Sequence, residues 1–351
     1  MLSQIKGLLL ALLGGGCAVY LQLPLPWLVG PVVASLVAGT MQIDMPCHPY
    51  WRKIGQLIIG MLLGLQFSPL LVETIASYAV WIGLAVLWSL LLGLGLALAQ
   101  YHFNRVDWST AWFSSAIGSA SEMVTLAEHH SAQVDRVAAS HSLRLVLVVV
   151  VMPILMTMMF PTLVLVPEVV VPESNLWRTG VVVLLAVVLA QLAQRLKFLN
   201  AWLLVPLVCT AALTFFQVTD IYLPKGWIAF GQLCIGWSLG SQFPFKFLTR
   251  NRKFLLLTLL FHTVALALSL LFAWAIAHVS QLDHKLLLLG LSPGGIAEMS
   301  LLAQTLGLTV PVIVAFQLSR LIFVISSTSF FYQRTRPYFG QHRPLKTLDP
   351  H

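Results

Sequence analysis

The sequence predicts an all-α membrane protein made of two inverted repeats, each with five transmembrane helices plus one re-entrant or broken helical segment. Three observations predict it: a composition suited to lipid, an internal duplication, and an uneven placement of basic residues. Of 351 residues, 58% are hydrophobic and 9% charged, against about 25% charged in a soluble domain. A water-solvated core of this length has no use for so much apolar surface, so the lipid bilayer is the expected solvent and partner. Runs such as 78–99, 145–160, 179–193 and 254–277 each approach the ~20 residues that cross a bilayer core.

The apolar stretch after Lys6 resembles a signal peptide in outline. It has a counterpart near 177–195, so it reads as the first span. Cys17, Cys47, Cys209 and Cys234 are scattered, without redox or metal spacing. The net charge of +8 falls in short loops between spans, the orientation signal of membrane proteins. No basic domain stands outside the apolar runs, so nucleic acid is not an expected partner.

The duplication is read from three blocks in the same order. Residues 55–67 (GQLIIGMLLGLQF) and 231–243 (GQLCIGWSLGSQF) agree at nine of thirteen positions, 176 residues apart. Pro26-Trp27-Leu28-Val29-Gly30-Pro31 faces Ala201-Trp202-Leu203-Leu204-Val205-Pro206. Gly118-Ser119-Ala120-Ser121-Glu122-Met123 faces Gly294-Gly295-Ile296-Ala297-Glu298-Met299, followed by Arg144 and Arg320 at the same offset. The two repeats are residues 1–172 and 173–351, joined by the acidic, Pro-containing stretch 166–175.

Spans are expected near 6–22, 25–42, 54–72, 77–100 and 137–160, and near 177–194, 199–217, 227–244, 254–278 and 310–331. Between the last two of each set lies a Gly- and Ser-rich segment, 108–128 or 286–306. If these segments cross, there are twelve spans and parallel repeats, with 11 Lys and Arg on one side and 7 on the other. If they dip in and return, 15 gather on one side: Lys6, Arg52, Lys53, Arg105, Arg136, Arg195, Lys197, Lys246, Arg250, Arg252, Lys253, Arg334, Arg336, Arg343 and Lys346. Only Arg178, Lys225 and Lys285 face the other way, and Arg144 and Arg320 lie inside spans. The positive-inside rule favours the second count. It puts both termini on the cytoplasmic side of a bacterial inner membrane.

Paired, Gly- or Pro-interrupted segments in inverted repeats are the sequence pointer to a secondary transporter. Irregular backbone at membrane depth is tolerated where it is buried in protein or lines a wet cavity. The half-helix beyond the break offers free N–H groups and a positive dipole end, suited to an anion.

Of twelve acidic residues, only Glu122 and Glu298 fall within membrane segments, where an ionisable group is costly and by default functional. Arg144 and Arg320 are their expected partners, either as braces or as part of an anion site. The expected solute-binding set is Gly118, Ser119, Glu122, Arg144, Ser292, Gly294, Gly295, Glu298 and Arg320, with Gln66 and Gln242. The two glutamines are expected chiefly to bridge helices. His141, its counterpart Gln317, and His262 read as structural polar groups. His129-His130 lacks further ligands, so no metal site is expected. Trp51, Trp81, Trp108, Trp177 and Trp227 read as interfacial anchors, and Gly14-Gly15-Gly16 as a site of close helix packing. No nucleophile constellation, phosphate loop or dinucleotide fingerprint occurs. No catalytic residue and no cofactor is expected, and the chain is not read as an enzyme.

The duplicated unit, the Pro-Trp-Leu-Val-Gly-Pro segment, Ser292-Pro293-Gly294-Gly295 and the later Arg320 resemble the bacterial AbrB family of integral membrane proteins, over essentially the whole chain. The first repeat departs from the motif, with Ala116-Ile117-Gly118-Ser119. Family members carry names of gene-expression regulators or of ammonia-monooxygenase-like proteins. A small DNA-binding regulator shares the family's name, and nothing here resembles it. The resemblance therefore implies at most an indirect regulatory role, and no copper or iron ligand set supports an oxygenase. The expected function is a secondary transporter or permease of a small solute, with an anion the favoured class. The alternative is a membrane sensor that affects gene expression without transport. A homo-oligomer is left open.

Overall fold

The computed structural model describes residues 2–43, 45–69, 71–160, 176–217, 223–242 and 251–339. Among the described residues the regular structure is helical, with no strand. The joining stretch 166–175 and the tail from 340 lie outside them, as do Lys246, Arg250, Arg343 and Lys346 of the charge count.

The helices are α1 (Leu2–Tyr20), α2 (Pro26–Thr40), α3 (Pro49–Gly64), α4 (Leu71–Ser77), α5 (Ala79–Phe103), α6 (Trp108–Ser115), α7 (Ala120–His129) and α8 (Val134–Met159). There follow α9 (Leu176–Arg195), α10 (Ala201–Phe215), α11 (Lys225–Ser241), α12 (Arg252–Ser280), α13 (His284–Leu291), α14 (Ile296–Thr305) and α15 (Val310–Phe339). Six of them, α1, α5, α8, α9, α12 and α15, are long and apolar enough to cross a membrane. Their polar backbone is satisfied internally, as lipid demands, and large apolar side chains such as Leu13, Leu91 and Leu184 face outward.

The helix order repeats. Residues bounding α6, α7 and the start of α8 recur 176 positions later in α13, α14 and α15, and α2 recurs 175 positions later as α10. One expected span is shifted. The helix expected over 54–72 starts at Pro49, whose fixed φ suits a first turn, with His48 Nδ1 accepting from Tyr50 N at 3.3 Å. It ends at Gly64, before Ser68-Pro69, since a proline ring cannot continue a helix.

Close contacts set the packing. A Cβ on Gly14 would lie 2.6 Å from the Gly30 carbonyl, and one on Gly15 would strike the Trp27 ring at 2.5 Å; Gly16 faces open space. Gly60 of α3 sits against the Leu203 carbonyl of α10, and its counterpart Gly236 of α11 against the Leu28 carbonyl of α2. Only glycine allows backbones so near.

These contacts also fix directions. α2 runs alongside α11 in the same sense (Leu28 to Gly236, Ser35 to Gly240), and α3 alongside α10 (Leu203 to Gly60, Thr210 to Gly64). α3 and α11 run in opposite senses, with Gly55 on the Gly231 carbonyl and Arg52 donating to Gln242 Oε1 at 3.1 Å. α5 and α12 are likewise antiparallel, since Gln100 bonds Thr258 and Trp88 bonds Ser269. Helices α1–α3 and α9–α11 pack chiefly on one another, and α5–α8 with α12–α15 form the second bundle. The bundles meet where α14 touches α3 and where α8 touches α2 and α11.

Trp108 departs from its expected anchoring role. It is buried, stacks on Phe339 at 4.1 Å and donates to Thr335. Trp177 and Trp227 are exposed as anchors should be.

Candidate functional site

Both Gly-rich segments are broken helices. α6 starts from Asp107, whose side chain accepts from Thr110 N at 2.8 Å. It ends at Ser115, the chain runs extended through Ala116 and Ser119, and α7 begins. In the second half α13 starts from Asp283, ends at Leu291, and Ser292 to Gly295 separate it from α14.

The first segment folds back on itself. Gln133, just past α7, donates from its backbone to Thr110 Oγ1 at 2.8 Å and from its side chain to Asp107. The end of the hairpin thus returns to the level where α6 begins. α8 then runs beside α6 in the same sense, with Ser140, His141 and Arg144 reaching successive carbonyls of α6 and the break.

The two arginines do the same thing in each half. Arg144 donates from Nη1 to the Ala116 carbonyl at 3.1 Å and from Nη2 to the Gly118 carbonyl at 2.8 Å. Arg320 donates from Nη1 to the Ser292 carbonyl and from Nη2 to the Gly294 carbonyl. In both cases the acceptors lie 28 and 26 residues earlier. A break orphans carbonyls at the C-terminal end of the first half-helix, where the dipole is negative. A planar, permanently charged fork is the side chain that satisfies two of them together.

This corrects the expected Glu–Arg pairing. The partners are backbone carbonyls, because the unwound segment presents more acceptors to a buried guanidinium than the glutamates do. Glu122 is half-buried on the first turn of α7. Glu298 is 8% exposed, on the first turn of α14, with its carboxylate against Gly295. The glycines of the breaks provide room. Among the described residues only Gly307 is a glycine with positive φ, so Gly118, Gly294 and Gly295 serve space rather than backbone conformation. A Cβ would meet Met123 Cε at 3.1 Å from Gly118, Met299 Cγ at 2.7 Å from Gly294, and the Glu298 carboxylate from Gly295.

A polar row backs each clamp. Ser140 Oγ donates to the Ser114 carbonyl at 2.8 Å, so His262 must donate from Nε2 to Ser140 Oγ, 3.0 Å away. His141 donates from Nε2 to the Phe113 carbonyl at 2.8 Å, and its counterpart Gln317 donates from Nε2 to the Leu289 carbonyl at 2.9 Å. Gln317 also accepts from Arg320 at 2.6 Å. Ser292 Oγ donates to the Leu289 carbonyl at 2.9 Å and touches Met299 Sδ. Ser119, the residue before α7, makes no side-chain cap and instead bonds Ser121 at 3.0 Å.

The glutamines part company. Gln242 bridges α11 to Arg52 and to Ser238, as expected. Gln66 Nε2 is buried without a partner. Arg52 was not anticipated as a site residue. It counted as a loop cation, and its counterpart Ile228 carries no charge that would have flagged it. No group of three or more His, Cys, Asp or Glu able to hold a metal occurs among the described residues.

No solved structure matches the chain. A protein of Escherichia coli (strain K12) named "Putative regulator AbrB" is 27% identical over 316 residues, covering 87% of this chain and 88% of that relative. A Bacillus subtilis (strain 168) protein named "Uncharacterized protein YhjN" is 23% identical over 314 residues, covering 85% of this chain and 82% of that relative. The family model described as "Transition state regulatory protein AbrB" matches residues 27–336, which takes in both broken helices and both arginines. The chain belongs to the AbrB family of multi-helix membrane proteins.

Proposed function

We propose that the protein is a secondary transporter of a small solute, with small anions as the first class to try, and that it changes no bond in that solute. The observation that carries this reading is the pair of broken helices clamped by equivalent arginines. Each clamp satisfies carbonyls of the break, and the residue before the next half-helix makes no side-chain cap, so the positive end of that half-helix suits an anion. The opposite directions of α3 and α11, and of α5 and α12, support two inverted repeats, the architecture in which broken helices carry the solute site.

The orientation follows from which basic residues share an end. Arg136 lies over the Phe254 ring at 5.2 Å, Asn104 reaches the Phe254 carbonyl, and Trp108 bonds Thr335. Arg105, Arg136, Arg252, Lys253, Arg334 and Arg336 thus gather at one end. Lys285 lies over Phe160 elsewhere, at the opposite end of α8. The positive-inside rule makes the first end cytoplasmic in an inner membrane.

The name of the Escherichia coli relative favours a second reading, a membrane sensor that binds the solute and influences gene expression without moving it. One experiment separates the two. Purified protein is screened for thermal stabilisation by small acids, amines and ions, and each hit is tested for uptake into liposomes. Saturable uptake that Gly294→Leu abolishes supports transport. Stabilisation without uptake supports the sensor, and no stabilisation by any member of the screen overturns the anion-site reading.

A further inference from the structure

A cavity of about 200 Å3 lies between α5, α6 and α15. Its inner wall is the first break itself, at Ala116 and Ile117, with Gly93 of α5 opposite and Trp112 and Thr328 at the side. Neither Arg144 nor any residue of the expected solute-binding set lines it.

Its chemistry excludes a polar occupant. Trp112 Nε1 donates to the Thr328 carbonyl at 3.1 Å, and the hydroxyls of Ser89, Thr328 and Thr335 are each bonded to a carbonyl of their own helix. No lining side chain keeps a free donor for a solute, and a water there would lack the two to four polar partners it needs. An apolar cavity of about 150 Å3 is large enough to take up benzene, so this one has room for an apolar chain. Its rim includes Leu87, 53% exposed, Leu91, 55% exposed, and Phe331, 41% exposed. These residues stand on two of the helices long and apolar enough to span the membrane. The mouth is therefore continuous with the face that already meets lipid tails.

We propose that this cavity is a binding site for one phospholipid acyl chain, which packs against Ala116 and Ile117 and props the first break from its lipid side. An empty cavity would leave that wall without contact partners and forfeit their dispersion energy. The bilayer supplies the chain at the mouth, and Gly93 lines the cavity where α5 passes the break. A Cβ there would be in ordinary contact, 3.7 Å from the Ser115 carbonyl.

The test reads Trp112 as the local reporter. Full-length protein is reconstituted in phosphatidylcholine with mid-chain brominated or ordinary acyl chains. The contribution of Trp112 to emission is taken as the difference from Trp112→Phe. Brominated lipid should quench that contribution, and Gly93→Leu, which fills the cavity, should remove most of the quenching. Leu90→Phe narrows the same space from another point of α5 and serves if Gly93→Leu does not fold; Gly93→Ala should behave as wild type. Quenching unchanged in the filled variants would mean that only lipid around the protein is sensed, and would overturn the proposal. Absence of quenching in the wild type would overturn it as well.

Discussion

The two broken helices share a clamp and differ in what surrounds it. In the first, Ser119, Ala120 and Glu122 are half-buried and Ser121 is exposed. In the second, Ser292, Gly294 and every residue from Ile296 to Ala303 are buried, with α3 against α14. The counterparts Arg144 and Arg320 make the same two carbonyl contacts in both settings. The clamp is therefore a property of the repeat, and access is a property of how the two bundles sit. Under the proposed transport reading, one break exposed and its twin buried would correspond to a single state of the carrier.

The largest expected effect tests the clamp. Arg320→Ala leaves the Gly294 carbonyl and Gln317 Oε1 without their donor, and the Ser292 carbonyl with only a 3.4 Å bond from Gln317 Nε2. Each buried unsatisfied group costs about 1–3 kcal/mol, so a loss of roughly 2–6 kcal/mol is expected from the two that lose every donor. Arg144→Ala strips two carbonyls and should cost less. Thermal unfolding in detergent checks the order. A fully stable Arg320→Ala protein would refute the clamp.

Next come the glycines. Gly295→Ala pushes a methyl into the Glu298 carboxylate and should cost about 1–3 kcal/mol, the usual range for overpacking. Gly118→Ala meets only the mobile end of Met123 and should cost less than about 1 kcal/mol. Equal losses would mean the two breaks are equally tight.

Access itself is read by labelling. In a background lacking Cys17, Cys47, Cys209 and Cys234, Ser121→Cys should react readily with a water-soluble maleimide, and Ala297→Cys at the matching position should be protected. Adding Arg52→Ala, which removes the cation near Glu298 and the bond to Gln242, should speed labelling at 297. Unchanged protection would mean that Arg52 has no part in closing the second break.

Much of this was legible in the sequence, and what escaped did so for identifiable reasons. The blocks 55–67 and 231–243 gave away the duplication because they mediate contact between the bundle's central helices, where Gly55, Gly60 and Gly236 face a backbone carbonyl with no room for a Cβ. The breaks were legible from Gly118 and Ser292-Pro293-Gly294-Gly295. Arg144 and Arg320 stood out as charges inside spans, but their true partners were carbonyls, which every residue carries and no sequence flags. The reach of Arg52 from α3 to Gln242 was invisible because 190 residues separate them. The early start of α3 was missed because the apolar pattern begins later than the His48-Pro49 start signal.

The smallest expected effect is the most specific to the duplication. His141 and Gln317 occupy matching positions and serve matching carbonyls, Phe113 and Leu289. The imidazole spends its Nε2–H on that carbonyl, and its Nδ1 is left buried without a partner. The amide of Gln317 makes the same donation and has an oxygen left over, which accepts from Arg320. His141→Gln should therefore be tolerated, keeping the bond to Phe113 and offering Arg144 an acceptor it now lacks. A change within about 1 kcal/mol, neutral or stabilising, is expected, the net worth of a typical hydrogen bond. His141→Leu keeps much of the volume and orphans the Phe113 carbonyl, at about 1–3 kcal/mol. Unfolding of the two variants side by side decides the matter: if Gln is as damaging as Leu, the second repeat does not supply a working template for the first at this position.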